Sequence, residues 1–133
     1  MNTPSIKGRL GAVPESVLTV IFHEQEDREI VMPLTISMQY LEPQWRILGG
    51  GVEHGEHIVA AAIREPFEEC GLRVPYGNLQ PFMTIVKPSR STSYKEHSQH
   101  VFLGEVFDIS TFLPETVDGD EILTNKFFTA SEV

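Results

Sequence analysis

Five glutamates fall within seventeen residues of this sequence: Glu53, Glu56, Glu65, Glu68 and Glu69. Carboxylates packed this densely either form a solvated acidic face or hold a hard cation. Their spacing carries the first clue. At about 100° per residue in a helix, Glu65, Glu68 and Glu69 fall within one arc of roughly 100°. Val59, Ile63, Phe67 and Cys70 project from the other side, so they are expected to bury against a sheet while the carboxylates stand together opposite. Like charges at i,i+3 and i,i+4 cost a few tenths of a kcal/mol each. A divalent cation relieves that repulsion, and oxygen ligands suit Mg²⁺ or Mn²⁺, which also accept phosphate oxygens. Glycines 49–51 let the backbone come close, and the Gly49 carbonyl can serve as a further ligand. Arg64 is placed to pin a glutamate by a charge-assisted hydrogen bond. Residue type and periodicity alone leave the solvated face and the metal site both open.

The elements that must position these groups are legible in outline. Ser16–Phe22 is β-branched and apolar and reads as a strand, followed by a polar turn over His23–Arg28. Glu29–Ser37 reads as a second strand, with Pro33 marking an edge or a bulge. Gln44–Leu48 reads as a short strand running into the glycines. His57–Glu69 reads as a helix capped by Gly71. Gln80–Lys87, Gln99–Phe107 and Ile122–Thr129 read as strands, and Pro88–Ser98 and Asp108–Glu121 as loops. A mixed sheet carrying one clear helix belongs to the α/β (α+β) class, an α/β/α sandwich in its fuller form.

Composition bounds the rest. A chain of 133 residues has room for one core. Residues 1–15 read as a leader and 16–133 as a single domain. No apolar run approaches the roughly 18 residues of a membrane span, and the N-terminus lacks the layout of a signal peptide. Cys70 is the sole cysteine, so neither an intrachain disulfide nor a cysteine zinc cage can form, and the expected location is cytoplasmic. The net charge of −9 disfavours a polymeric nucleic acid as partner. It is compatible with a small phosphorylated nucleotide once a cation stands between carboxylates and phosphates.

The segment Gly50–Leu72 resembles the Nudix box: a glycine, five residues, a glutamate, seven residues, then Arg-Glu-U-x-Glu-Glu-x-Gly-U with U apolar. Gly50, Glu56, Arg64, Glu65, Glu68, Glu69 and Gly71 occupy all its fixed positions, and Leu72 fills the last U. Chance gives such a match in a chain this short on the order of once in a million. The resemblance implies a Nudix-type α/β/α sandwich and a Mg²⁺- or Mn²⁺-dependent enzyme. Such an enzyme hydrolyses a phosphoanhydride in a nucleoside diphosphate linked to another moiety: a nucleotide-sugar, a dinucleoside polyphosphate or a (d)NTP-type substrate. By position, Glu65, Glu68 and Glu69 are implied as metal ligands, with Glu56 and the Gly49 carbonyl adding to them. Arg64 is implied to orient glutamates. The general base is implied to be a box glutamate or a carboxylate of a later loop. Among Glu115, Asp118, Asp120 and Glu121, Glu121 is favoured because it shortly precedes Phe127. Lys87, Arg90, Tyr94 and Lys95 are expected to contact substrate phosphates and base, and core packing is expected of Trp45 and Phe22.

Three features depart from the pattern. Pro66 stands where an aliphatic residue is usual; it lacks an N–H and clashes with the Ala62 carbonyl, so a kink or bulge is expected. Leu48 stands where proline is frequent. The sequence stops where the family usually runs a final helix; either that helix is absent, or the sequence given stops short of it, or a partner subunit covers the exposed face, and a homodimer is the expectation. Pro66 also supports a second class of function, a non-catalytic nucleotide-binding or regulatory module on the same fold.

Overall fold

The computed structural model describes residues 14–88 and 96–133. Seven strands and one α-helix follow in the order β1 (Glu15–Glu24), β2 (Ile30–Ser37), β3 (Leu48–Gly51), α1 (Ile58–Cys70), β4 (Leu79–Pro88), β5 (Glu96–Glu105), β6 (Glu115–Asp118) and β7 (Glu121–Thr129). The sheet order is β4-β5-β1-β2-β7-β6, with β3 pairing β1 off that path. β1 and β5 run parallel and the other pairs antiparallel, which makes the sheet mixed.

β1 is the hub. Val17 and Ile21 point into the core while alternate residues face outward, the period of two that its sequence predicts. Its first half pairs with β3 and its last two residues with β2. Beyond Val31, therefore, β2 has β7 as its strand neighbour and has left β1. Pro33, buried in that stretch, sits where one side of the strand is free of a ladder. The core lies between the sheet and α1. Ile21, Leu48, Cys70, Leu72, Val74 and Val106 form one cluster, and Val17, Val52, Ala61, Ala62 and Phe102 another. Each large aliphatic buried this way contributes about 1.5–3 kcal/mol.

Several sequence expectations change here. The short strand expected over Gln44–Leu48 is displaced: β3 is built from Leu48 and the glycines themselves, and Arg46 makes an isolated bridge to Thr35. Val17 explains the displacement, since a Cβ at Gly49 would lie 2.1 Å from its carbonyl oxygen. Only glycine lets the two backbones approach this closely. The loop expected over Asp108–Glu121 contains β6, which forms a hairpin with β7 around Gly119 (φ 64) and Asp120. α1 is the only α-helix among the described residues, so the sandwich is present with one of its helical layers; Ala130–Glu132 is a turn, not the start of a helix.

The helix turns a different face inward. Its buried residues are Ala61, Ala62, Glu65, Pro66, Glu69 and Cys70, while Val59 and Ile63 are half-buried and Phe67 is exposed beneath the Arg73 guanidinium. Two small alanines lie against the sheet, so α1 packs close to it. Pro66 causes no bulge, and the helical pattern is unbroken from Ile58 to Cys70. Proline cannot donate to the Ala62 carbonyl four residues back. The buried Thr19 hydroxyl does so instead, at 2.8 Å from β1.

Candidate metal centre

Two glutamates of α1 point toward the sheet. Glu65 is 9% exposed and Glu69 6%. The glycine strand makes room for them: a Cβ at Gly50 would lie 2.4 Å from Glu65 Oε1. The Gly49 N–H donates to Glu69 Oε1 at 2.8 Å, so Gly49 meets the site through its amide, whereas its carbonyl was the expected contact. Burial raises the Glu69 carboxyl to about 8, with the Gly49 N–H opposing and the Glu65 charge adding to the rise. Burial likewise raises Glu65, against the pull of Arg64. A buried carboxylate pair of this kind ionises readily only if a cation joins it.

A third carboxylate comes from the β6–β7 hairpin. Carboxylate oxygens of Glu65, Glu69 and Asp118 lie within 4.8 Å of one another. Three hard anionic donors at this spacing, in a cradle kept open by Gly50, fit a divalent ion that retains some waters. Glu121, favoured from the sequence, is the register partner of Asp118 across the hairpin and is not part of the cluster. The signal for Asp118 was present in Val117-Asp118-Gly119-Asp120, where the Gly119-Asp120 pair forms the two-residue turn and leaves Asp118 as the last residue of β6.

The other two glutamates of the box belong to Arg64. Its Nε donates to Glu56 Oε2 at 2.7 Å and its Nη2 to Glu56 Oε1 at 3.0 Å, a two-point grip. Its Nη1 donates to Glu65 Oε2 and to Glu68 Oε1, both at 2.9 Å, and its Nη2 to the Gly51 carbonyl at 3.0 Å. The guanidinium thus fixes Glu65 from the side while holding Glu56 and Glu68 outside the three-carboxylate cluster. The bond to Glu56 leads the effects that raise Arg64 above its usual range, so it stays a cation. Of the metal ligands expected from the sequence, the geometry unites Glu65 and Glu69 and separates Glu68 and Glu56.

A cavity opens along the same glycine strand. Ser16, Val17, Leu18, Trp45, Arg46, Gly49 and Gly50 contribute to its wall, and its volume is about 530 Å³. Trp45, expected in the core, is 39% exposed at this wall and packs edge-on against Phe128 with ring centroids 4.9 Å apart. Arg46 stands beside it, close enough to lower the Glu69 carboxyl by its charge. Phe22 is half-buried. Lys87 lies exposed on β4, in register with His97, and does not line this cavity. Arg90, Tyr94 and Lys95 lie outside the described residues.

The sequence profile of the NUDIX domain matches residues 13–133. The chain belongs to the NUDIX domain family. Solved structures share its fold. A MutT/nudix family protein from Enterococcus faecalis superposes with a TM-score of 0.71 at 16% identity, over 97% of this chain and 47% of that one. The NUDIX domain of Shewanella oneidensis NrtR, complexed with ADP ribose, gives 0.69 at 14% identity, over 90% and 75%. A C. elegans Ap4A hydrolase binary complex gives 0.62 at 20% identity, over 88% and 79%. The NUDIX chain described here spans less than half the length of the Enterococcus protein. No curated protein matches it at significant similarity. No helix among the described residues is long and apolar enough to cross a membrane.

Proposed function

We propose that this NUDIX protein is a Mg²⁺- or Mn²⁺-dependent pyrophosphohydrolase acting on a nucleoside diphosphate linked to another moiety. One observation carries the reading: the Glu65–Glu69–Asp118 cluster shares the Gly49–Gly50 wall with a nucleotide-sized cavity bearing Trp45 and Arg46. Diphosphate and nucleoside therefore have adjoining places.

In this reading Glu65, Glu69 and Asp118 hold the divalent ion, which when bound polarises the diphosphate and lowers the pKa of a coordinated water. Arg64 orients Glu56, Glu65 and Glu68 and stays clear of substrate. Trp45 offers an aromatic face for a base, and Arg46 a guanidinium for a phosphate. Hydrolysis forms a P–O bond from water, breaks the bridging P–O bond and requires a proton acceptor. We assign that role to Glu68. It shares Arg64 Nη1 with Glu65, which keeps a second carboxylate beside the cluster without entering it. No covalent intermediate is involved. Pro66 loses its weight as a sign of a non-catalytic module, because Thr19 satisfies the carbonyl it orphans. The lone cysteine, buried Cys70, supports a cytoplasmic location.

Incubation with ADP-ribose, NADH, dinucleoside polyphosphates and dNTPs, with and without Mg²⁺ or Mn²⁺, tests the proposal. Metal-dependent release of a nucleoside monophosphate from at least one of them is expected. Binding of a nucleotide without release from any of them would instead establish the non-catalytic module.

A further inference from the structure

The C-terminal end of α1 is held in an unusual way, and the hold leads to Asp118. The last carbonyls of a helix lack intrahelical donors. Gly71, in the left-handed region at φ 81, returns its N–H to the Phe67 carbonyl. The Leu113 N–H caps Cys70 at 2.8 Å, and the Thr111 hydroxyl caps Gly71 at 2.8 Å. The Glu69 carbonyl receives two donors. One is the Thr116 hydroxyl. The other is Asn125 Nδ2 at 2.8 Å, which also donates to the Leu113 carbonyl at 2.9 Å and reaches Thr116 Oγ1 at 3.4 Å.

Capping alone needs one donor for that carbonyl. Here both come from the hairpin that carries Asp118. Thr116 and Asp118 are two residues apart on β6, so they share a face of the strand. The face that grips the backbone of Glu69 therefore also presents the third carboxylate. β6 has only four residues and pairs only with β7, so its own ladder does not fix its distance from the helix. Asn125 is 4% exposed, and its Oδ1 finds no partner, although it stands in register with Thr35, whose hydroxyl is equally unpartnered. Leaving one end of a buried amide unsatisfied costs stability. Its bonding is concentrated on Nδ2, at the junction of helix and hairpin.

We propose that Thr116 and Asn125 are positioning residues of the metal centre, gripping the Glu69 carbonyl so that Asp118 meets Glu65 and Glu69 in register. The inference rests on the divalent-metal reading above. It assigns a function to two residues that stand outside both the three-carboxylate cluster and the Nudix box.

Mn²⁺ titration calorimetry on the full chain tests it, with wild type, T116V, T116S, D118N, E69Q and the double variant T116V/D118N. Loss of an outer partner of a ligand weakens metal affinity about tenfold or more, so T116V shows that loss, and D118N, which removes a charged ligand, at least as much. T116S keeps the hydroxyl and stays within about twofold of wild type. Because Thr116 acts through Asp118, the double variant binds no more weakly than D118N alone. Should T116V lose its folded circular dichroism, Thr116→Ala removes the same hydroxyl without adding a methyl and takes its place. Wild-type affinity in T116V, with binding lost in E69Q, overturns this inference alone. A double variant whose loss is the product of the two single losses overturns it as well, since Thr116 then acts independently of Asp118. A wild-type chain that binds no Mn²⁺ overturns the metal reading and this inference together.

Discussion

Glu68 and Glu69 are adjacent in sequence and opposite in surroundings. Glu68 lies exposed on α1 and accepts from Arg64; Glu69 is buried against the glycine strand and accepts from the Gly49 amide. The same division splits the whole acidic constellation. Glu56 and Glu68 form the outer set, both gripped by the one Arg64 guanidinium. Glu65, Glu69 and Asp118 form the inner set, where burial raises both glutamates and Arg64 reaches only one side of Glu65. The difference teaches where the cation belongs. The protein supplies its own positive charge to the outer set, and in the proposed function an added divalent ion completes the inner one.

Breaking the inner set has the largest expected effect. Glu69→Gln keeps shape and removes charge; turnover falls roughly 10³-fold, while the thermal midpoint of the metal-free protein does not fall, because a neutral amide is easier to bury. Steady-state hydrolysis and a melting curve check both halves. A midpoint several degrees lower would mean that Glu69 is structural. Breaking the outer set is milder. Glu68→Gln is expected to lower turnover about 10²-fold with Mn²⁺ affinity unchanged, the signature of a lost proton acceptor. Glu121→Gln, one hairpin partner away from Asp118, leaves turnover unchanged; if the two results are exchanged, the assignment of the base reverts to Glu121. The smallest effect on catalysis falls on the helix that carries both sets. Thr19→Val orphans the buried Ala62 carbonyl and costs about 1–3 kcal/mol of stability, read as a shift in denaturation midpoint, with turnover per folded molecule unchanged.

What could be read in advance follows from whether the determinant is local. The Gly50–Leu72 register, the Gly71 cap and the strands around Val17 and Ile21 are local patterns, and they appear in the structure where the sequence puts them. The inward face of α1 is not local. Val59, Ile63 and Phe67 suggested an apolar stripe, but Ala61 and Ala62 pack on β1 and the missing Cβ of Gly50 admits Glu65 to the seam. Thr19 meets Ala62 across 43 residues, so nothing near Pro66 announced its compensation. Asp118 stands in a segment whose proline, glycine and acidic residues resemble a loop; the two-residue Gly119-Asp120 turn makes that segment a hairpin. Of the expected substrate contacts, Lys87 stands away from the cavity beside the glycines, which Trp45 and Arg46 line, and Arg90, Tyr94 and Lys95 lie outside the described residues.

Binding of a divalent ion by the inner carboxylates is tested most directly by thermal stability against pH, with and without Mn²⁺, in wild type and E69Q. A carboxyl raised to about 8 when folded contributes stability that is fully present below its ordinary value of 4.5 and is lost as pH rises through 8. The difference between wild type and E69Q should therefore move against wild type over that window, by at most about 1.4 kcal/mol per pH unit. Mn²⁺ binds the ionised form, so it should raise the wild-type midpoint at pH 8 much more than at pH 5 and leave E69Q almost unmoved. Equal Mn²⁺ shifts in wild type and E69Q, or none at pH 8, would contradict the account.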